Sequence, residues 1–235
     1  QKQLDSFQDY CTLWKLKANA DKSKIMVFSK GTLPRNLNFN LNGTELEIVN
    51  SFNYLGIDLA RSGNFKKAKQ SIANKATKAF YEVLKLGRNH GLSIKTQLEL
   101  FDKMIKPILL YGCEVWGFSN NEIIEKVHLK FCKLLLHLKS STPSYMIYGE
   151  LGRYPLEIDI KNRMISFWGK ILSGKESKLS KVVYNLCFQL SFVNGDKFLW
   201  LDNIKNILNE CGLTYIWNSQ TFINLNWLRL TVSRN

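Results

Sequence analysis

The chain has 235 residues, of which 45% are hydrophobic and 22% are charged, so its composition is that of a globular protein and not of a disordered one. The 33 Lys and Arg residues outnumber the 19 Asp and Glu residues, and the net charge of +14 favours a polyanionic partner. No apolar stretch is long enough for a membrane span, and the 5 scattered cysteines support neither a disulfide framework nor a zinc site.

The positive charge is concentrated in one part of the sequence. Residues 61–110 contain 11 Lys and Arg residues but only Glu82, Glu99 and Asp102 as acidic residues, which leaves a net charge of +8. Such a cluster is typical of a phosphate-binding surface, although the solvated face of an ordinary helix has the same pattern.

The first 60 residues predict one helix and a small antiparallel sheet. The helix is indicated by apolar residues at helical spacing, namely Leu4, Phe7, Cys11 and Trp14. The apolar run at residues 25–28 is typical of a buried strand. Asn42-Gly43 between two alternating runs predicts a hairpin, because both turn positions need positive φ. We expect residues 52–59 to form one more strand.

Helical periodicity begins after Gly63. Apolar residues from Phe65 to Leu86 form one stripe, and Gly87 is expected to end the helix. The opposite face is expected to carry six lysines, which are Lys66, Lys67, Lys69, Lys75, Lys78 and Lys85.

Further helices follow along the chain. One is expected to begin near Ser93 and to be kinked or ended by Pro107, and another is expected to begin at a capping box formed by Ser119 and Glu122. Later helices are indicated at residues 156–171 and 198–211, and an apolar stretch at 222–230 suggests that the chain was cut from a longer one. The fold class is therefore predicted to be α+β, with a small antiparallel sheet followed by a mainly α-helical part.

A complete catalytic centre is missing from the sequence patterns. The three histidines His90, His128 and His137 form no nucleophile–base pattern, and there is no Gly-rich phosphate loop and no Asp-Asp pair. We expect no cofactor and no metal ion in this fragment, and we expect the fragment alone to be inactive.

Four short motifs occur in a definite order. The first contains Asn19, Lys22 and Ser23, and the second is Tyr54-Leu55-Gly56. The third and fourth are Pro107-Ile-Leu-Leu-Tyr111-Gly112-Cys-Glu114-Val-Trp116-Gly117 and Glu150-Leu151-Gly152-Arg-Tyr-Pro155. In this order they resemble blocks that follow the catalytic aspartates in reverse transcriptases of non-LTR (LINE-like) retrotransposons.

The resemblance implies a division into three regions. Residues 1–60 would be the C-terminal end of a polymerase palm with a primer-grip-like strand, residues 61–150 a helical thumb, and residues 151–235 a truncated helical extension. The parent protein would be an RNA-directed DNA polymerase that uses Mg²⁺. It would be intracellular, in the nucleus and cytoplasm, and not bound to a membrane.

The resemblance also implies roles for particular residues. Lys22 would be a general acid for the leaving pyrophosphate, although an exposed lysine in a turn is an equal alternative. Tyr54, Leu55 and Gly56 would form the primer grip; the alternative is a strand entering a hairpin. The six lysines after Gly63 would follow the backbone of an RNA template–DNA primer duplex, and the remainder of the polymerase chain would be a second partner. Tyr111, Glu114 and Trp116 are expected to pack or hydrogen-bond inside the thumb; the alternative is a direct nucleic-acid contact. Glu150, Gly152 and Pro155 are expected to shape a turn.

Two other hypotheses fit the sequence. The chain could be a stand-alone basic helical module that binds RNA or DNA without catalysis, which explains the lysines but not Tyr54-Leu55-Gly56. It could also be a decayed transposon relic without a selected function.

Overall fold

The computed structural model describes residues 1–29, 31–32, 37–221, 227 and 232, and it has the α+β fold that the sequence predicts. The chain divides into two compact units, Gln1–Ser71 and Ile72–Asn235. The apolar stretch at 222–230 lies outside the described residues except for Trp227.

The first unit contains a helix and two small sheets. Helix α1 spans Lys2–Leu13, strands β1 and β2 span Asn40–Leu41 and Thr44–Glu45, and strands β3 and β4 span Ser51–Tyr54 and Ile57–Ala60. Each sheet has two antiparallel strands. The unit also contains the beginning of α2, which spans Lys66–His90.

The predicted strand at residues 25–28 is wrong. Only Ile25 pairs with another strand-like segment, through a single parallel bridge to Ile48. The Ile25 N–H donates to the Glu47 carbonyl at 2.9 Å, and the Val49 N–H donates to the Ile25 carbonyl at 2.8 Å. Phe28 is exposed, so the apolar run at residues 25–28 is not the buried strand that its composition predicts.

The Asn42-Gly43 hairpin is confirmed, since both residues have positive φ, 51° and 76°, and join β1 to β2. The single strand expected at residues 52–59 is wrong, because this segment is a second hairpin. Leu55 and Gly56 are its turn, with φ of 49° and 83°. Two consecutive left-handed residues are what a two-residue turn requires, and the apolar character of Leu55 hid the turn in the sequence.

Two glutamines attach α1 to the first hairpin. The Gln1 side chain donates to the Asn40 carbonyl at 2.9 Å and accepts from the Asn40 N–H at 3.0 Å. The Gln8 side chain accepts from the Asn42 N–H at 3.0 Å. The helix is therefore confirmed, but of its predicted apolar stripe only Cys11 is buried, and Trp14 is 63% exposed.

The second unit is helical throughout its described part. After α2 come α3 (Ile94–Leu100), a π-helical segment (Phe101–Ile105), α4 (Lys106–Leu109), α5 (Cys113–Trp116), α6 (Glu122–Leu135) and α7 (Ser144–Leu151). They are followed by α8 (Leu156–Leu172), α9 (Leu179–Val193), α10 (Leu199–Glu210) and α11 (Thr214–Ser219). Helix α8 is central, since α5, α6, α9 and α10 all pack against it.

Gly87 does not end α2, as the sequence predicted. The helix continues to His90, and the left-handed residue after it is Gly91, with φ of 58°. A Cβ atom on Gly87 would lie 2.2 Å from Oε1 of Gln97. Gly87 therefore leaves room beside α2 for the end of the Gln97 side chain.

The other predicted helix boundaries are largely confirmed. Ser93 caps α3 by accepting from the Thr96 N–H at 3.1 Å. The π-helical segment comes shortly before Pro107, whose missing N–H interrupts the regular hydrogen-bond pattern. Helix α6 begins at Glu122, and the Glu122 N–H donates to Asn120 Oδ1 at 2.8 Å. The prediction that Ser119 caps this helix is therefore wrong.

The third sequence motif packs only partly into the core of the second unit, because Tyr111, which was expected inside, is 50% exposed and Glu114 is half-buried. Trp116 is fully buried and donates to the Tyr111 carbonyl at 2.9 Å. Next to it, a Cβ atom on Gly117 would lie only 2.4 Å from Cγ2 of Ile160 on α8. The absence of a side chain at Gly117 therefore lets α8 approach the segment after α5.

The fourth motif shapes a turn, as expected. Gly152 has φ of 59° and ends α7, and Pro155 lies directly before α8. Of the cysteines, Cys11, Cys113 and Cys132 are buried, and Cys187 and Cys211 are partly exposed. Across the described ranges, none of the helices is both long enough and apolar enough to pass through a membrane.

Candidate nucleic-acid interface

Five of the six predicted lysines lie on the exposed side of α2. They are Lys66, Lys67, Lys75, Lys78 and Lys85. Lys67 donates to the Ser51 hydroxyl at 2.9 Å. Among the residues that the structure describes, none of these five forms an ion pair with an acidic side chain. Their charges therefore remain available to a polyanion.

The placement of Lys69 on the exposed face is wrong. Its side chain is only 2% exposed, and burial lowers its pKa from 10.5 to about 8. The helical spacing explains this position, since the buried residues Ile72, Ala73 and Ala76 lie three, four and seven positions further along α2. Lys69 belongs to the buried stripe of the helix and is not available to a nucleic acid.

The Lys22 motif forms a compact turn. The Asn19 side chain accepts a hydrogen bond from the Lys22 backbone N–H at 3.1 Å, and the Ser23 hydroxyl donates to the Asn19 carbonyl at 2.8 Å. Asparagine and serine favour such turns because their side chains bond to nearby backbone groups. The Lys22 side chain is exposed.

Tyr54, Leu55 and Gly56 lie at the tip of the second hairpin. Tyr54 pairs with Ile57 at the end of the ladder, and the side chains of Tyr54 and Leu55 are 59% and 73% exposed. Glycine is required at position 56 because its backbone is left-handed, with φ of 83°. Tyr54 and Leu55 therefore present apolar surface at the tip of the hairpin.

Tyr81 lies beside two of the lysines of α2, although no role for it was predicted from the sequence. Tyr81 lies three residues after Lys78 and four before Lys85 on α2, so the three side chains share one side of the helix. The Lys130 ammonium of α6 lies 5.4 Å from the centroid of the Tyr81 ring. The spacing of Lys78, Tyr81, Lys85 and Arg88 was visible in the sequence, but the approach of Lys130 was not.

A second group missed by the sequence analysis is centred on Glu125. Its carboxylate accepts hydrogen bonds from His128 Nδ1 at 3.0 Å, from the Tyr148 hydroxyl, and from the Leu156 N–H at 2.7 Å. Burial raises the pKa of the Glu125 carboxyl, but these hydrogen bonds outweigh burial and its pKa lies below the usual value. Glu125 thus holds α6, α7 and the beginning of α8 together.

An ion pair lies beside this group. The Arg153 guanidinium binds both carboxylate oxygens of Asp102, at 2.8 and 2.6 Å, and lies over the Phe101 ring at 5.3 Å. Phe101 in turn stacks on His128 with a centroid distance of 5.1 Å. Because these side chains bond to and stack on one another, we interpret them as a structural connection. Among the described residues, the buried Nε2 of His128 has no hydrogen-bond partner.

No group of three or more His, Cys, Asp or Glu side chains in the described part of the chain is arranged to hold a metal ion. The carboxylates available there do not fit the Mg²⁺ ion that the sequence resemblance implies for the parent protein, because Mg²⁺ needs convergent oxygen ligands.

Comparison with known proteins supports the resemblance seen in the four motifs. The chain is 27% identical over 156 residues to an RNA-directed DNA polymerase from the mobile element jockey of Drosophila melanogaster, and 27% identical over 150 residues to that of Drosophila funebris. It is 25% identical over 121 residues to a probable RNA-directed DNA polymerase from transposon BS of Drosophila melanogaster. No family model and no solved structure matches the chain.

These similarities cover 65%, 62% and 51% of this chain but only 17%, 16% and 13% of the relatives. The chain thus spans about a sixth of the length of the curated relatives that it matches. The relatives are reverse transcriptases of non-LTR elements, which confirms the family resemblance predicted from the sequence and supports a region of such a polymerase.

Proposed function

We propose, from the similarity to RNA-directed DNA polymerases of mobile elements, that this chain is the region of such a polymerase that holds the template–primer duplex. The observation that carries the proposal is the row of exposed lysines on α2, in a chain similar to enzymes that act on nucleic acid. The similarity also favours this function over a stand-alone binding module.

Lys75, Lys78 and Lys85 are suited to contact with phosphates. They lie on one side of α2 and extend over roughly 15 Å of helix, at 1.5 Å per residue. Lysine ammonium groups bind phosphates as point charges and read no base sequence. A polymerase must accept any sequence, so a thumb made of α2 and the helices that follow would need contacts of this kind.

Salt dependence tests the proposal directly. The chain is titrated with a blunt RNA–DNA hybrid duplex at about 50 and 200 mM salt, where several phosphate contacts change the affinity by orders of magnitude. We expect K75Q, K78Q and K85Q each to lower the slope of log affinity against log salt by about 1. The buried Lys69 provides the matched control, and K69M is expected to leave the slope unchanged. Affinity that does not depend on salt would overturn the proposal.

The second hairpin is proposed as the primer grip. Tyr54 and Leu55 offer exposed apolar surface at its tip, and Gly56 allows the tight turn that presents them. Such a tip can support a primer strand without base-specific hydrogen bonds. We expect the double variant Y54A/L55A to bind a primed hybrid more weakly. The control is the double variant Y10A/L13A, which removes exposed side chains of α1 and should bind as the wild type does.

Lys22 is proposed to donate a proton to the leaving pyrophosphate in the parent polymerase. The Asn19 turn holds its backbone, and its exposed ammonium is free to reach a phosphate. The test is primer extension by a polymerase in which this segment is joined to a complete palm. K22A is expected to slow extension more than K24A, whose lysine already pairs with Glu47 at 2.6 Å. Equal rates in wild type and K22A would remove Lys22 from the mechanism.

We propose that the Mg²⁺ ions of the parent polymerase are bound by parts of it outside this chain. In this family Mg²⁺ would supply Lewis-acid activation of the reacting phosphates, and the described residues of this chain do not offer ligands for it. This chain would bind and orient the duplex.

The remainder of the polymerase is proposed to cover the exposed apolar side of α1. Phe7, Leu13 and Trp14 are all exposed there, and the curated relatives are much longer than this chain. Adding the preceding polymerase segment should shift the Trp14 fluorescence to shorter wavelength, measured in a variant that lacks the other tryptophans. An unchanged spectrum would contradict this arrangement.

A further inference from the structure

A small cleft lies where the C-terminal half of α2, α3 and the end of α6 meet. It encloses about 190 Å³ and is lined mainly by Tyr81, Leu84, Arg88, Gln97, Leu134 and His137. Gly87 leaves room for the end of the Gln97 side chain, which is one of the lining residues.

The lining combines an aromatic ring, an apolar floor and a cationic rim. The ring is that of Tyr81, which is 44% exposed, and Leu84 below it is buried. Arg88 and the Lys130 ammonium, which lies 5.4 Å from the Tyr81 ring centroid, bring positive charge to the opening. Glu82, next to Tyr81, forms no ion pair with either of them in the described part of the chain.

Such a combination suits an unpaired nucleotide. An aromatic face stacks with any base, while nearby cations bind the phosphates on either side of it. The volume of about 190 Å³ suits one flat base. The exposed Lys78 and Lys85 lie three and four residues from Tyr81, so the cleft opens beside the lysines assigned to the duplex backbone.

We propose that this cleft binds one unpaired nucleotide of a single-stranded extension, with its base on the Tyr81 ring and its flanking phosphates on Lys130 and Arg88. The inference rests on the proposed function, because the extension would continue from the duplex held along α2. The base takes the place of the Lys130 ammonium over the ring. A cation–π contact at an exposed site is worth little, so this exchange is readily reversed.

The experiment compares two probes with the full chain. One is a blunt RNA–DNA hybrid duplex, and the other is the same duplex with a single-stranded extension of about 5 nucleotides. We expect the wild type to bind the extended probe more tightly. Y81L should lose about fivefold to a hundredfold of affinity for the extended probe and little for the blunt one, whereas Y81F should retain both.

Matched variants separate stacking from general effects. Tyr145 on α7 is also exposed, and Y145L should change neither affinity. Lys126 lies one turn before Lys130 on α6 and pairs with Glu122 at 2.9 Å, so K126Q should have less effect than K130Q on the extended probe. The K130Q and K126Q comparison remains decisive if circular dichroism shows that Y81L does not fold.

The outcomes distinguish this inference from the proposed function. Salt-dependent binding of both probes with equal affinity, or equal losses for Y81L and Y81F, would overturn the nucleotide cleft and leave the proposed function standing. Failure of the wild type to bind either probe would overturn the proposed function, and the cleft proposal with it.

Discussion

Replacing Lys69 by methionine tests whether this lysine is buried, as in the structure, and not exposed, as predicted from the sequence. Methionine has a similar length and no charge, so K69M keeps the packing of the buried stripe and removes the buried ammonium. We expect K69M to be more stable than the wild type at neutral pH.

The pKa of Lys69 sets the size of the effect. A pKa of about 8 in place of 10.5 corresponds to about 3 kcal/mol of destabilisation while the lysine is protonated in both folded and unfolded chains. Because the folded pKa lies below the unfolded one, this penalty is complete below pH 8. It disappears as pH rises from about 8 to 10.5, where the unfolded chain binds more protons than the folded chain. Lys69 also makes a polar interaction, so about 3 kcal/mol is the largest gain that K69M can show.

Urea denaturation followed by circular dichroism, at several pH values between about 7 and 10.5, measures this difference. The advantage of K69M should be greatest near pH 7 and should shrink as pH rises. K75M, at an exposed position of the same helix, should stay within about 0.5 kcal/mol of the wild type. If K69M is less stable than the wild type at neutral pH, or if its advantage does not change with pH, the assignment of Lys69 to a desolvated position is refuted.

Three other changes test the second unit and the hairpin. G117A should destabilise the protein by about 1–3 kcal/mol, because a Cβ atom would meet Ile160 at 2.4 Å. A Cβ atom at Gly149 within α7 would meet nothing within 4 Å, so G149A should stabilise the protein by about 1 kcal/mol. Thermal denaturation compares the two variants. E125Q should lower the free energy of unfolding by about 2–4 kcal/mol at neutral pH, because the carboxylate that accepts hydrogen bonds from His128 and Leu156 loses its charge. Folding lowers the pKa of Glu125, so its contribution to stability is present above the usual pKa of 4.5 and is lost as pH falls through the lower folded value. E125Q should therefore make the free energy of unfolding less dependent on pH on the acid side, whereas E122Q should not. G56A should destabilise the first unit by about 1 kcal/mol, because Gly56 has φ of 83°, and proteolysis of the hairpin should become faster.

Local patterns predicted much of the helical framework. The helices predicted at residues 156–171 and 198–211 are α8 and α10, and their apolar Leu156, Ile160, Leu201 and Ile204 are buried. They were predictable because helical periodicity is a property of neighbouring residues. The Asn42-Gly43 turn was also predictable, since two residues determine its backbone geometry. Leu55-Gly56 adopts the same turn without the asparagine that signals it, and the prediction of a single strand there was wrong.

Lys69 shows a different kind of error. Its spacing from Ile72 and Ala76 places it on the buried stripe, and this was visible in the sequence. The expectation that lysine lies in water outweighed the geometry, because burial of a lysine is rare. The structure reveals the cost of that burial as a lowered pKa.

The sequence by itself determined the positive charge, the helical periodicity and the four ordered motifs, and these were sufficient for the resemblance to non-LTR reverse transcriptases. Each depends on residue identity and short spacing alone. Only the tertiary structure decided that Gly87 admits Gln97, that Glu125 joins Tyr148 to the start of α8, and that Lys130 reaches the Tyr81 ring. These contacts join residues that are distant in sequence, so they depend on how the helices pack, which no local pattern encodes.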